Sequence, residues 1–211
     1  PYVLLDGVSG TYVSAPDSAA APISSATFIG WAAPDDWTPA AAMSLGVNKY
    51  TLSGNQRSWL VYLHTSGRLV LVTSADGATT VDSISTAATG FADSTGHWWR
   101  VTFDNSGNTT NFYTSDQPVE TPQSSLVWTQ LGDADLAHAS AGIYNSSQQY
   151  EVGARSSGAS DLFTGRQARC MVIASTDPTA APVVDFYPQP YIQGDTNFTS
   201  VTGELWTLNG N

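Results

Sequence analysis

Ser58-Trp59-Leu60-Val61-Tyr62-Leu63-His64, then Thr65-Ser66-Gly67-Arg68, then Leu69-Val70-Leu71-Val72-Thr73, reads as two strands joined by a tight turn. Successive side chains of a strand point to opposite faces, so Trp59, Val61 and Leu63 share one face and Leu60, Tyr62 and His64 the other. The intervening four residues are turn formers, and the next run, Ser74-Ala75-Asp76-Gly77, turns the chain again. An antiparallel hairpin is therefore predicted. Both faces carry apolar residues, which places the hairpin mid-sheet with something covering each side.

The pattern repeats outward from this hairpin. Trp98–Asp104 sets Trp99, Val101 and Phe103 against Trp98, Arg100 and Thr102; Asn105-Ser106-Gly107-Asn108 turns, and Thr110–Ser115 returns. Leu126–Leu131, Tyr150–Ala154 and Gln167–Ala174 read as further strands, as do Tyr2–Leu5, Thr11–Ser14, Val183–Phe186 and Leu205–Leu208 near the ends. Helical periodicity is hard to find. The Ala-rich stretches Ala19–Ala21 and Ala40–Ala42 are short and flanked by Pro22 and Pro39, so they read as loops or single turns. Evenly spaced strands between turn signals predict an all-β fold, a sandwich or a barrel, and the strand-like ends suit the side-by-side pairing that the termini of a jelly roll commonly make.

Composition narrows the function. Of 211 residues only 12% are charged, and the net charge is −11. Nucleic-acid binding needs clustered Lys and Arg to neutralise phosphates, and none cluster here. The single cysteine, Cys170, lies in an apolar run and reads as a small buried hydrophobe; no intrachain disulfide can form. No apolar run approaches the ~18 residues of a membrane span, so membrane insertion is not expected. No signal-peptide pattern opens the sequence.

Two stretches carry a resemblance. Tyr150-Glu151-Val152-Gly153-Ala154-Arg155, followed by Leu162-Phe163-Thr164-Gly165-Arg166-Gln167-Ala168-Arg169-Cys170-Met171-Val172, resembles the last strands of the laminin-G-like, concanavalin A-like superfamily. More specifically, six segments resemble laminin-G-like domains of bacteriophage virion proteins, above all those of phages of actinobacteria. They are Gly10–Asp17, Asp35–Pro39, Gly54–Trp59, Thr73–Gly77, Phe112–Asp116 and Trp128–Gly132. The resemblance implies a jelly roll spanning residues 1–211 as a single domain, with a place in a minor tail protein, a tail fibre or a capsid decoration.

Glycoside hydrolysis needs two carboxylates ~5–9.5 Å apart across a cleft. Glu120, Glu151 and Glu204 form no Glu-x-Asp-x-Glu pattern, so a glycoside hydrolase is the least favoured reading. His64, His97 and His138 sit in no nucleophile-elbow context, and three scattered His with one Cys give no zinc spacing. Ca²⁺ suits hard oxygen ligands on acidic loops, and the superfamily often holds one at the sandwich rim; the candidate loops carry Asp35 and Asp36, Asp133 and Asp135, or Asp6 and Asp17. Sugar binding calls for an exposed aromatic platform beside hydrogen-bonding side chains. Trp37 between Asp36 and Thr38, Trp98 opposite the core set, and the group Tyr144, Gln148 and Tyr150 are the candidates; Trp59, Trp99 and Trp128 are assigned to the core.

The resulting expectation is a non-enzymatic virion protein, made in the bacterial host cytoplasm. It would contact other tail or capsid proteins, self-associate on a symmetric particle, and adhere to host-envelope glycan. A secreted bacterial carbohydrate-binding module is the alternative.

Overall fold

A computed structural model describes residues 2–18, 21–189 and 195–210. The strands of its first half are β1 (Val3–Asp6), β2 (Tyr12–Ala15), β3 (Ala26–Pro34), β4 (Met43–Ser44), β5 (Lys49–Thr51), β6 (Gln56–Leu63), β7 (Leu69–Thr73), β8 (Val81–Ile84) and β9 (His97–Asp104). Those of its second half are β10 (Thr109–Ser115), β11 (Thr129–Gln130), β12 (Leu136–Ala137), β13 (Tyr150–Val152), β14 (Thr164–Ile173), β15 (Val184–Phe186), β16 (Asn197–Thr199) and β17 (Leu205–Asn209). Ser53–Asn55 and Gln123–Ser125 each form a single 3₁₀ turn.

Two antiparallel layers result. One has the order β1-β14-β3-β9-β10-β11, with β15 also on β14 and β12 also on β10. The other joins a β13-β2-β17-β16 sheet to a β4-β6-β7-β8 sheet, in which β5 also pairs with β6. The link is reciprocal: Asn48 N–H donates to the Glu151 carbonyl at 2.8 Å and Glu151 N–H to the Asn48 carbonyl at 2.9 Å. This is the two-sheet antiparallel jelly-roll sandwich that the resemblance implies. The two ends do pair, with Leu208 of β17 opposite Val13 of β2. Both predicted hairpins form, with Val61 opposite Leu71 and Phe112 opposite Val101.

The core lies between the layers. Phe28, Trp99, Val101 and Phe103 from one layer meet Trp59, Val61, Leu63 and Leu71 from the other, all at most 1% exposed. Trp99 fits because Gly30 and Gly46 leave room on either side of it. A Cβ at Gly30 would stand 2.4 Å from the indole, and one at Gly46 2.8 Å. Cys170 is buried here as expected, and burial pushes its thiol far above the ordinary range.

Two local readings, Leu126–Leu131 as a strand and Trp128 in the core, need correction, and one strand escapes the sequence. β3, central to its layer between β14 and β9, escapes the sequence pattern because Ala26, Phe28, Gly30 and Ala32 face inward while Ile29 and Trp31 face outward. A strand apolar on both sides carries no alternation. Leu126–Leu131 pairs only at Thr129–Gln130. Leu126 and Trp128 instead lie over the outer face of the large sheet, so Trp128 belongs to that covering and not to the central core. Residues 40–42 form no strand or helix, as read, whereas the Ala19–Ala21 reading falls largely outside the described residues.

Candidate functional site

The outer face of β5–β8 holds the groove of greatest chemical interest. Strand alternation that sends Trp59, Val61 and Leu63 inward sends Leu60 and Tyr62 outward. Register then builds two rows across the sheet. Leu60 lies opposite Val72, which lies opposite Asp82, and Tyr62 lies opposite Val70, which lies opposite Ile84. With Tyr50 from β5 these residues form a small apolar cluster of their own. Above them is a groove of about 460 Å³, within the roughly 300–1,000 Å³ of small-ligand sites. Its polar lining comes from His64, Thr65, Thr80, Asp82, Arg155 and Asp161.

One wall is a turn placed there by the tertiary fold. After β13, Arg155 and Ser160 pair in a bridge, and the chain between them doubles back through Ser156, Ser157 and Gly158 with φ of 57°, 60° and 76°. Left-handed backbone is unfavourable for serine, and such strain concentrates where side chains must be aimed. Buried Glu151 holds the turn: its carboxylate accepts Ser157 N–H at 2.8 Å, together with the amides of Gln148 at 2.9 Å and Gln149 at 3.1 Å. Asp161 is tied to β4 through its carbonyl, which accepts Ser44 N–H at 2.8 Å. The turn thereby sets the Arg155 guanidinium 5.6 Å from the Tyr50 ring centroid, with its Nε donating to Asp161 Oδ2 at 2.5 Å.

The opposite rim is set by a second turn. Asp76 accepts Ala78 N–H at 2.8 Å and Thr79 N–H at 2.7 Å, which holds its carboxyl down at about 2 and delivers Thr80 and β8 to the groove. On the floor, burial raises the phenol pKa values of Tyr50 and Tyr62, and for Tyr62 the negative charge of Asp82 adds to it. Both phenols therefore keep their protons across the neutral range and can donate as well as accept. Chemically, this is a partly apolar aromatic floor ringed by hydroxyls, carboxylates and one guanidinium, suited to a polyhydroxylated ligand.

The candidates proposed from sequence are placed elsewhere. Trp37 is 1% exposed; its indole N–H donates to the Thr95 carbonyl at 3.0 Å, and its ring meets Phe91 edge-on at 5.0 Å. Trp98 is fully buried on the other sheet's outer face, donating to the Pro118 carbonyl at 3.1 Å. Tyr150 is fully buried beside Trp59, its hydroxyl 3.0 Å from that of Ser18. These three are packing residues and not exposed platforms. Gln148 serves Glu151, and Tyr144 is half-buried with its backbone N–H on the Ser74 carbonyl at 2.6 Å.

The acidic candidates for Ca²⁺ are likewise separated. Asp35 and Asp36 border a shallow hollow with Pro39, Met43 and Leu162, where the Asp36 carboxylate accepts Thr38 N–H at 2.7 Å. Asp135 accepts the Asn111 amide at 2.9 Å, and exposed Asp133 hangs by its backbone N–H on Thr86 Oγ1 at 2.7 Å. Among the described residues, no three His, Cys, Asp or Glu side chains gather into a group able to hold a metal ion.

Sequence reasoning placed Tyr62 and His64 correctly on the outward side of the hairpin but did not single them out. It missed Tyr50, Asp82, Arg155 and Asp161, because they meet only through register and a distant turn. The signal that could have found them was Leu60-x-Tyr62 on a second apolar face, which was read as a covered surface.

Comparison with solved structures identifies the same fold at low identity. The CBM40 of a Ruminococcus gnavus IT-sialidase, bound to α2,3-sialyllactose, superposes with a TM-score of 0.53 at 13% identity, covering 83% of this chain and 90% of that one. A candidate carbohydrate-binding protein of Bacteroides ovatus ATCC 8483 gives 0.61 at 10%, covering 97% of this chain and 59% of that one. A heptameric SAP-like pentraxin of Limulus polyphemus gives 0.56 at 7%, covering 82% and 75%. These likenesses establish the jelly-roll fold. No family model and no curated protein matches the sequence. No helix of the described residues is long and apolar enough to cross a membrane.

Proposed function

We propose that this chain is a non-enzymatic glycan-binding module, displayed on the surface of a bacteriophage virion as a tail or capsid-decoration component. The observation that carries the glycan reading is the groove over β5–β8, where Tyr50 and Tyr62 form an aromatic floor beside Asp82, Arg155 and the threonine hydroxyls. Two of the similar structures are described as carbohydrate-binding, which supports that reading. The virion assignment rests on the sequence resemblance of the six segments from Gly10 to Gly132. Self-association on a symmetric particle follows from the same assignment.

A hydrolytic reading has one observation in its favour, since Asp82 and Asp161 line the same groove. Against it, Asp161 is committed to Arg155 at 2.5 Å, which leaves Asp82 as the one uncommitted carboxyl in the groove, whereas hydrolysis needs two, one as acid and one as base or nucleophile. A glycan array probed with the whole chain, followed by chemical-shift mapping of its hits, tests the proposal. Binding that shifts Tyr50, Tyr62 and Thr80 without releasing reducing ends is the expected result. Hits that map elsewhere, or turnover of the glycan, would overturn it. Mass spectrometry of purified phage particles decides the virion part; glycan binding by a chain that no particle contains would favour a secreted bacterial module.

A further inference from the structure

The groove is electrically uneven from one end to the other. Lys49 lies opposite Trp59, but a register shift then places Tyr50 opposite Arg57. Strict alternation from inward-facing Trp59 would turn Arg57 inward as well; the irregularity re-aims it to the outer face that Tyr50 occupies. Side chains directly opposite on paired strands are neighbours, so Arg57 stands beside Tyr50, and the Arg155 guanidinium lies 5.6 Å from the same ring. After burial, the strongest influences on the Tyr50 phenol are the positive charges of Arg57 and then Arg155, ahead of the negative charge of Asp161. At Tyr62 the order is reversed: after burial come Asp82 and Asp161, and only then Arg155. His64 lies beyond Tyr62, at that second end, with Nδ1 2.8 Å from Ser66 Oγ.

Two guanidiniums against Asp161 leave the Tyr50 end with one positive charge over, and neither guanidinium is saturated. Arg155 commits Nε to Asp161, and its terminal N–H groups have no partner among the described residues. Arg57 enters no ion pair among the described residues, and its Nε is buried without a hydrogen-bond partner. Asp76, next to the Gly77 carbonyl that takes the Arg57 backbone N–H, is occupied by the N–H groups of its own turn. A planar guanidinium matches a carboxylate with two parallel N–H bonds, and bonds to an ionised acceptor are about twice as strong as those to a neutral one. The protonated Tyr50 phenol adds a further donor. Asp82 does not oppose this: it lies on β8, three strand spacings from Tyr50 on β5, which is about 14 Å and beyond the screening length of about 8 Å at physiological salt. Exposed Asp82 instead accepts sugar hydroxyls at the far end, beside the hydroxyls of Tyr62, Thr65 and Thr80.

We infer that the groove binds glycans bearing a carboxylate, received at the Tyr50 end by Arg57 and Arg155 while neutral hydroxyls lie toward Asp82, an inference that rests on the glycan reading above. The test prints each uronic-acid or sialylated oligosaccharide beside its carboxamide, which keeps the shape and removes the charge, and beside its neutral parent. The array is probed with the intact chain and with Arg57→Gln. Acidic members should bind about tenfold or more tightly than their amides, as expected where charge-assisted hydrogen bonds replace neutral ones. Arg57→Gln should bring that ratio toward one. The ratio is the readout because a variant that is merely less stable weakens both members alike, and the comparison on the intact chain needs no variant. Amides or neutral parents binding as tightly as the acidic members, or an Arg57→Gln ratio equal to that of the intact chain, would overturn the inference and leave the glycan reading standing. Silence across the whole array would overturn both.

Discussion

The two outer faces of the sandwich begin alike and end differently. Both sheets carry apolar residues on the side turned away from the core: Ile29, Trp98, Met171 and Ile173 on the large sheet, and Tyr50, Leu60, Val70 and Val72 on the β5–β8 sheet. On the large sheet the long connections fold back. Leu126, Trp128 and Ala180 pack onto the face, and the Gln123 side-chain amide ties the two covering segments by donating to the carbonyls of Pro178 at 2.7 Å and Ala180 at 2.9 Å. On the other sheet the cover is one turn along one side, bringing Arg155 and Asp161 and leaving a groove. An apolar sheet face is therefore not by itself a site. What separates packing from binding here is whether the chain has enough connection left over to roof it.

The largest effect expected from breaking this contrast lies on the covered face. Trp98→Ala should cost about 3–5 kcal/mol of stability by emptying a fully buried indole's space, read as a shift of the denaturant midpoint. Glycan affinity of the remaining folded protein should be unchanged, and a loss of affinity as large as that of a groove variant would show that the two faces are not independent.

The next effect comes from pH. His138 is fully buried between β7 and β8, with Nε2 2.7 Å from Thr73 Oγ1 and Nδ1 2.8 Å from Ser83 Oγ. Ser83 spends its own hydrogen on the Ala137 carbonyl at 2.9 Å, so Nδ1 donates to Ser83 and Nε2 accepts from Thr73, which satisfies the neutral ring. Burial lowers its pKa from 6.5 to about 4. Between those values the unfolded chain binds the proton and the folded chain does not, so stability falls as pH drops from 6.5 to 4 and changes no further from this group below that. The loss is on the order of 3 kcal/mol. Denaturation of the protein and of His138→Gln at pH 7 and pH 4.5 should show the pH dependence reduced in the variant. Equal slopes in both would remove His138 as the cause. Hydrogen exchange at low pH should rise first in β7 and β8, the groove's own strands, and not in the covered sheet.

The smallest effect on stability, and the sharpest on binding, is expected at Tyr62. The side chain is half-buried on the groove floor, so Tyr62→Ala should cost about 1 kcal/mol or less in stability yet weaken glycan binding about tenfold or more, as truncation of a central aromatic contact does. Titration calorimetry with a hit from the array measures it, and unaltered affinity would move the site away from this floor.

Strand-level structure was legible because alternation is local. Ser58–Thr73 and Trp98–Ser115 announce their pairing, their inward residues and their turns within a few residues of each other. Trp37 was misjudged for the same reason: its neighbours Asp36 and Thr38 are polar, while the Phe91 and His97 rings that pack around it come from more than fifty residues away. Tyr50, Asp82, Arg155 and Asp161 could not be joined from sequence, because nothing local relates a short strand, an edge strand and a left-handed turn.

The amino-acid sequence alone thus settled that this chain forms alternating strands around an aromatic interior, since that depends on which side chains can share a face two residues apart. Which outer face stays open was decided only by the tertiary structure. That outcome depends on where long connections come to rest, and on a buried Glu151 that aims one strained turn at Tyr50.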